Sequence, residues 1–261
     1  MKHLIRWILN IVPRPLLQRV ATWAVPIVGL LYKGRGRICP ICGARYRRFM
    51  PYGYVRSRED ALCPRCLSLE RHRMIWLWLE RHTNLFEMRP RLLHIAPELS
   101  LMRHFRALYG SSSNYITADL ESPLADLHFD VQQIPMADGT VDVIICNHLL
   151  EHVEDDHEAL SELYRILCPG GWGILLVPED RSRLTTFEDD TITDPKERTR
   201  LFGQYDHRRI YGRDYDSRLA AAGFEVERID FTKEVSDNDQ RLYSIGHDHL
   251  VVVRKPHIIK N

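Results

Sequence analysis

Val141-Asp-Val-Ile-Ile-Cys146 is an apolar run broken by one acid, and it opens into Asn147-His-Leu-Leu-Glu-His-Val153. A run that is apolar on both faces suits a strand buried in a parallel sheet. Asp156 to Leu167 follows as an amphipathic helix, closed by Pro169-Gly170-Gly171, and Trp172 to Val177 reads as the next strand. Working back toward the N-terminus, Arg91 to Ala96 reads as a first strand, Leu99 to Tyr109 as a helix, and Asn114 to Asp119 as a second strand. A short third strand precedes Asp130. The segment from Asp119 to Asp130 is brief, so the helix usual at that crossover must be reduced. Toward the C-terminus, Tyr215 to Ala222 is helical, and Phe224 to Phe231 and His249 to Arg254 fit a late hairpin-like pair of strands at the sheet edge. Strands alternating with helices predict an α/β fold with a doubly wound, mostly parallel sheet.

Before this domain the text is different. Cys39-Pro-Ile-Cys42-Gly43 and Cys63-Pro-Arg-Cys66 are two C-x2-C turns with 20 residues between them. Two residues between thiolates let one tight turn aim both sulfurs at a point, and two such turns build the S4 cage that zinc prefers. Cys39, Cys42, Cys63 and Cys66 are therefore the expected metal ligands. With all positions filled by Cys, the site reads as structural, and the module resembles a zinc ribbon. Two disulfides and a redox pair are the competing readings, but nothing marks the chain as secreted. After Cys66, Ser68 is the expected N-cap of a helix running to about His82. Cys146 and Cys168 read as packing residues.

The net charge of +1 hides an uneven distribution. No Asp or Glu occurs before Glu59, whereas Lys2, Arg6, Arg14, Arg19, Lys33, Arg35, Arg37, Arg45, Arg47, Arg48, Arg56 and Arg58 all precede it. Such a cationic stretch suits a phosphate-bearing neighbour, nucleic acid or anionic membrane, or is simply a solvated arm. The longest uncharged run in the N-terminal segment, Val20 to Tyr32, contains Pro26 and falls short of the roughly 20 residues a membrane span needs. Basic residues mixed with Trp7, Trp23 and several leucines would suit an interfacial helix. The expected organisation is a basic amphipathic segment over 1–36, a zinc-ribbon-like module over 37–68, a linking helix over 69–89, and the α/β domain over 90–261.

Asp130 to Val153 and Ala159 to Gly173 together resemble class I S-adenosylmethionine-dependent methyltransferases, most closely those called methyltransferase type 11. The resemblance covers about Arg91 to Pro178 well and the remaining strands in outline. It implies a Rossmann-like domain that binds S-adenosyl-L-methionine. In that frame Asp119, with Leu120 beside it, faces the ribose hydroxyls. Asp130 faces the adenine amino group, with Val131 supplying a backbone amide. Asn147 and His148 lie beside the methyl donor. The family usually carries a glycine-rich loop after the first strand; His94-Ile-Ala96-Pro-Glu98 has no glycine. Ala96 is small enough for close approach, Pro97 lacks an N–H, and Glu98 either pairs with the cofactor's α-ammonium or obstructs the loop.

Methyl transfer requires an acceptor held in line and a base if the acceptor is protonated. His148 and His152, spaced i and i+4, and His207, in a long insertion over 179–212, are the candidate catalytic residues; Glu151 beside His152 reads as a loop residue. Arg208 and Tyr211 are candidate acceptor contacts. The expected reaction is methylation of an oxygen or nitrogen on a small molecule or glycan precursor. The alternatives are an RNA methyltransferase with a zinc module and a non-catalytic scaffold of the same fold. The expected location is cytoplasmic, with peripheral membrane contact through the basic segment.

Overall fold

The computed structural model of the protein describes residues 25, 27–53, 57–246 and 249–257. The expected basic amphipathic segment falls mostly on residues 1–24, outside the described residues. Among those described, no helix is long and apolar enough to cross a membrane. The chain divides into two compact units. One comprises the described parts of Met1–Thr83, Leu99–His104 and Phe231–Asp248, and the other those of Asn84–Glu98, Phe105–Asp230 and His249–Asn261.

In the first unit, β1 (Lys33–Ile38) pairs antiparallel with β2 (Arg45–Tyr46), and β3 (Met50–Tyr52) with β4 (Arg58–Leu62). Each ribbon runs into a cysteine turn, β1 into Cys39 and β4 into Cys63. Strands this short bury little, and the core is completed by Phe49, Ala61 and the apolar face of α1 (Glu70–His82), which buries Met74, Ile75, Leu77, Trp78 and Leu79. Ser68 does not cap α1. Its hydroxyl instead bonds the sulfurs of Cys39 and Cys66, at 3.3 and 3.2 Å. The cap falls to Leu69, whose N–H donates to Nδ1 of His72 at 3.1 Å.

In the second unit the elements run α2 (Leu85–Met88), β5 (Leu92–Ile95), α3 (Leu99–Tyr109, shared with the first unit), β6 (Tyr115–Asp119), β7 (Leu127–His128), β8 (Val141–Asn147), α4 (Asp156–Ile166) and β9 (Leu167–Leu176). After these come β10 (Phe187–Glu188), α5 (Pro195–Phe202), β11 (Arg209–Ile210), α6 (Tyr215–Ala221), β12 (Glu225–Ile229) and β13 (Leu250–Arg254). Seven strands form one sheet in the order β12-β13-β9-β8-β5-β6-β7. β13 runs antiparallel to both neighbours, and the other pairs are parallel. This is the doubly wound, Rossmann-like fold. Every residue of β5 is buried, and in β8 only Asp142 is exposed, as a strand covered on both faces requires. α4 begins at Asp155, whose carboxylate accepts from the N–H groups of His157 and Glu158. Its buried stripe is Ala159, Leu160, Leu163 and Ile166. Truncating Leu163 to Ala there would cost about 2–5 kcal/mol.

Three expectations are corrected. Between β6 and β7 stands a turn, not a reduced helix: Asp126 accepts from both the N–H and the hydroxyl of Thr117. Strand β9 starts at Leu167 and runs through Pro169-Gly170-Gly171 rather than after it. A register shift against β8 absorbs the triplet, Gly170 takes φ +81°, and its N–H finds the carbonyl of Lys255 at 2.8 Å. The two late strands are paired but not joined by a hairpin. β13 lies inside β12, and the connection carries a 3-10 turn at Phe231–Glu234 and α7 (Asp237–Tyr243), which belong to the first unit.

That late segment is tied to the N-terminal module by a buried arginine, besides Ser244 Oγ on the carbonyl of Asp60 at 2.6 Å and Glu234 on His82 at 2.6 Å. Arg73 is fully buried. Its Nη1 donates to the carbonyls of Ala61 and Ser68, both at 2.9 Å, its Nε to Tyr243 at 2.7 Å and its Nη2 to Ser244 at 2.6 Å. The guanidinium lies 4.5 Å from the ring centre of Phe49. A buried charge is tolerable only when hydrogen bonds replace its hydration, and here carbonyls meet four of the five guanidinium N–H donors.

Candidate active site

In the sheet, the chain leaves β5 toward β6 and β7 but leaves β8 toward β9, so the winding reverses between β5 and β8. Ligands of open α/β sheets sit beyond the carboxyl ends of strands at such a reversal. Both strand ends there carry strained backbone: Ala96 after β5 has φ +48° and His148 after β8 has φ +53°. Side chains with a Cβ rarely adopt this region, and such residues gather at functional sites. The glycine-free loop thus makes the left-handed turn with an alanine.

Glu98 is the centre of this crevice. Its carboxylate binds Nε2 of buried His94 at 2.9 Å and accepts from Nδ2 of Asn147 at 3.2 Å. His94 Nδ1 is in turn 3.0 Å from the hydroxyl of Tyr115. His94 has no exposed surface, so it positions Glu98 from beneath. Oδ1 of Asn147 is buried and has no partner among the described residues. At the end of β6, one oxygen of Asp119 accepts from the N–H groups of Glu121 and Ser122, at 2.9 and 2.8 Å. The carboxylate thus shapes its own loop while Leu120 beside it stays exposed. Asp130 is exposed and accepts from the N–H of Gln132, with Val131 buried next to it.

The insertion over 179–212 is an ordered structure with its own two-stranded ribbon, β10 against β11. It clamps the loop after β8. Arg209, 3% exposed, donates to the carbonyls of Leu150, Val153 and Glu154, each at 2.8 Å. Tyr211 is fully buried, and its hydroxyl donates to Asp156 at 2.8 Å, so it packs within the clamp rather than facing an acceptor. Arg208 pairs with Asp190 at 3.0 Å. Arg209 and Asp156 went unrecognised in the sequence, because a buried arginine there looks like its exposed neighbours.

The clamp brings His207 to His152, with ring centres 4.7 Å apart and edge to face. Glu151, 1% exposed, lies with them, and ligand atoms of Glu151, His152 and His207 all fall within 4.8 Å of one another. Burial pushes the pKa of His207 down, opposed by the charge of Glu151. His148 is the more open imidazole, its side chain one-third exposed with Nδ1 at 3.4 Å from Glu151.

In the first unit the four cysteines converge. Sγ of Cys39 and Cys66 are 3.6 Å apart, and Sγ of Cys42 and Cys63 are 3.7 Å apart. A tetrahedral ion about 2.3 Å from each sulfur sets its ligands roughly 3.8 Å apart, so the cluster fits zinc. The two turns are copies of each other. Gly43 N–H donates to the Cys39 carbonyl and Leu67 N–H to the Cys63 carbonyl, and both Gly43 and Leu67 are left-handed, at φ +67° and +64°. None of the six cysteines forms a disulfide.

The family model described as "Methyltransferase domain" matches residues 92–175, from the first strand of the sheet through β9. This segment is a methyltransferase domain. A protein of Mycolicibacterium smegmatis named "Probable S-adenosylmethionine-dependent methyltransferase" is 28% identical over 106 residues, 40% of this chain and 37% of that protein. The malonyl-[acyl-carrier protein] O-methyltransferase of Methylococcus capsulatus is 30% identical over 103 residues, 39% of this chain and 34% of that enzyme. The chain thus matches little more than a third of the length of either relative. Among solved structures, the YcgJ protein of Bacillus subtilis superposes with a TM-score of 0.45 at 15% identity, over 71% of this chain and 99% of that one. The matched methyltransferase domain contains Glu98, Asp119, Asp130, Asn147 and His148, whereas the four cysteines and the clamping insertion lie outside it.

Proposed function

We propose that the protein is an S-adenosylmethionine-dependent methyltransferase acting at an oxygen or nitrogen of a small molecule or glycan precursor. The observation that carries this reading is the acceptor pair at the reversal, where Glu98 is held between His94 and Asn147 and Asn147 Oδ1 lies buried without a partner among the described residues. A buried orphan acceptor calls for a donor, and a carboxylate beside it calls for a cation. The α-ammonium of the cofactor's methionine part answers both. When bound, S-adenosylmethionine supplies a methyl group on a sulfonium, which passes in line to the acceptor as the carbon–sulfur electron pair returns to sulfur. Asp119 would hold the ribose and Asp130, with the amide of Val131, the adenine. His148, exposed at the crevice and backed by buried Glu151, would take the proton leaving an acceptor hydroxyl or amine. The O-methyltransferase named among the relatives supports an oxygen acceptor. Zinc in the four-cysteine cluster would staple the short ribbons of the first unit.

Calorimetric titration of S-adenosylmethionine into the zinc-loaded chain tests the reading. Binding is expected to fall at least about tenfold in Asp119→Ala and also in Asp119→Asn, which keeps an oxygen for the loop amides but loses the charge (a 1.4 kcal/mol loss is tenfold). Absence of binding by the folded protein would leave the scaffold reading in its place.

A second reading, methylation of RNA, draws on the β1–β2 ribbon, where Lys33, Arg35 and Arg45, with Arg47 and Arg48 just beyond, are exposed. It requires RNA affinity that drops steeply with salt. A flat salt response would remove it.

A further inference from the structure

We infer that Glu151, His152 and His207 form a second metal site, one that takes a divalent first-row transition ion at the mouth of β8. Their ligand atoms lie within 4.8 Å of one another. Two histidines and one carboxylate are a ligand set suited to Mn2+, Fe2+, Co2+ or Zn2+, and three protein ligands leave coordination positions open.

The state of each side chain points the same way. Glu151 is 1% exposed, and neither carboxylate oxygen has a hydrogen-bond partner among the described residues. Nδ1 of His148 stands at 3.4 Å from one of them. A carboxylate taken out of water needs a cation or donors, and beyond that one long contact to His148 neither oxygen is hydrogen-bonded among the described residues. His207 is 2% exposed, with Nδ1 on the carbonyl of Phe202 at 2.9 Å, while its Nε2 is buried and without a partner among the described residues. His152 repeats the pattern, with Nδ1 at 3.3 Å from the carbonyl of Asp206 and 3.7 Å from its carboxylate. Metal-ligating histidines characteristically donate one ring N–H to a carbonyl or carboxylate and so aim the other nitrogen at the ion. Both rings are held in that manner.

The clamp explains how the set is assembled. Glu151 and His152 come from the loop after β8 and His207 from the insertion, and the carbonyl of Glu151 accepts from the N–H of Arg208 at 2.8 Å, next to His207 in the chain. The ion would stand apart from the four-cysteine cluster in chemistry, since soft thiolates favour zinc and this harder set tolerates manganese. Resting on the methyl-transfer reading, the open positions would select an acceptor that offers an oxygen ligand.

The test uses the full chain carrying one zinc equivalent, titrated with Mn2+ and followed by the loss of the free-ion EPR signal. One Mn2+ per chain is expected, with nitrogen couplings from imidazole in pulsed EPR. Changes to partners behind a ligand typically weaken metal binding about 10–100-fold. Glu151→Gln, His207→Gln and His152→Gln should each weaken it by at least that much, with the zinc content unchanged. His152 is 29% exposed, so its variant is expected to fold even if the buried pair's variants do not, and circular dichroism checks this. No bound Mn2+, binding without nitrogen couplings, or binding unaltered in His152→Gln would overturn the site. S-adenosylmethionine calorimetry on the same protein separates the two readings: Mn2+ binding without cofactor binding keeps the site and removes the methyltransferase, and the reverse does the opposite.

Discussion

Replacing Arg209 by methionine removes a guanidinium that meets the carbonyls of Leu150, Val153 and Glu154, each at 2.8 Å, and the carboxylate of Glu188 at 2.9 Å. Methionine fills much of the same volume, so the change isolates the polar loss. Counted as three separate charge-assisted bonds of about 1.5–3 kcal/mol, the cost would reach about 5–9 kcal/mol. That is the scale of a whole domain's stability. Bonds from one side chain are lost together, however, and their acceptors relax together, so they do not add. Breaking a buried ionic contact costs about 3–5 kcal/mol, and this is the expected range. Glu188 contributes little to it, being 41% exposed, where an ion pair is worth at most about 1 kcal/mol. Arg209→Lys keeps the charge but not the planar fork that reaches three carbonyls, so it should recover less than half the loss. Urea unfolding followed by near- and far-UV circular dichroism measures this, with the slope checked for a change in cooperativity. A loss under about 1 kcal/mol in both variants would show that Tyr211 and its neighbours hold the loop without Arg209.

Other expectations can be checked more simply. Elemental analysis should find one zinc per chain bound by the four cysteines, and Cys63→Ser should release it and lower the melting temperature of the first unit. The Arg165 guanidinium, together with the N–H of Ile134, holds the Glu162 carboxyl below the usual glutamate range. Because the folded-state pKa is the lower one, the stabilisation is complete above the unfolded value of about 4.3 and disappears as pH falls through the folded one. Melting curves of Glu162→Gln should therefore lie below those of the parent at pH 7 and converge with them in acid. At Ala96, held at φ +48°, a β-branched side chain is strained, so Ala96→Val should cost about 1–3 kcal/mol in urea unfolding while Ala96→Gly stays near neutral.

The parts of the fold legible in the sequence are those where burial is continuous. Leu99–Tyr109 has the bounds expected of it, and β5, β6, β8 and β13 differ from expectation by one or two residues, because runs such as Val141–Asn147 can only be strands covered on both faces. The cysteine spacing likewise announced its cluster. What escaped depends on partners distant in the chain. Nothing in Phe231–Asp248 announces that it belongs with the first eighty or so residues, because the bonds that Arg73 makes to it end on backbone carbonyls, which every residue possesses. β10 and β11 are two residues each, too short for any periodicity. Ser68 had the right identity for a helix cap and was claimed by sulfur. In the crevice, the missing glycine was visible in the sequence, but that an alanine would take its conformation was not.

The attachment of Tyr243 and Ser244 to Arg73 also bears on how the molecule is made. The cysteine module leaves the ribosome before two of the acceptors of its buried arginine, which lie up to 171 residues further along. At about 5–20 residues per second, the module waits roughly 10–30 s for its last partners. During that interval Arg73 must remain hydrated, and the core around Phe49 cannot close over it. Metal capture by the cysteines can come first, but the final form of the N-terminal module depends on a segment synthesised up to 171 residues later.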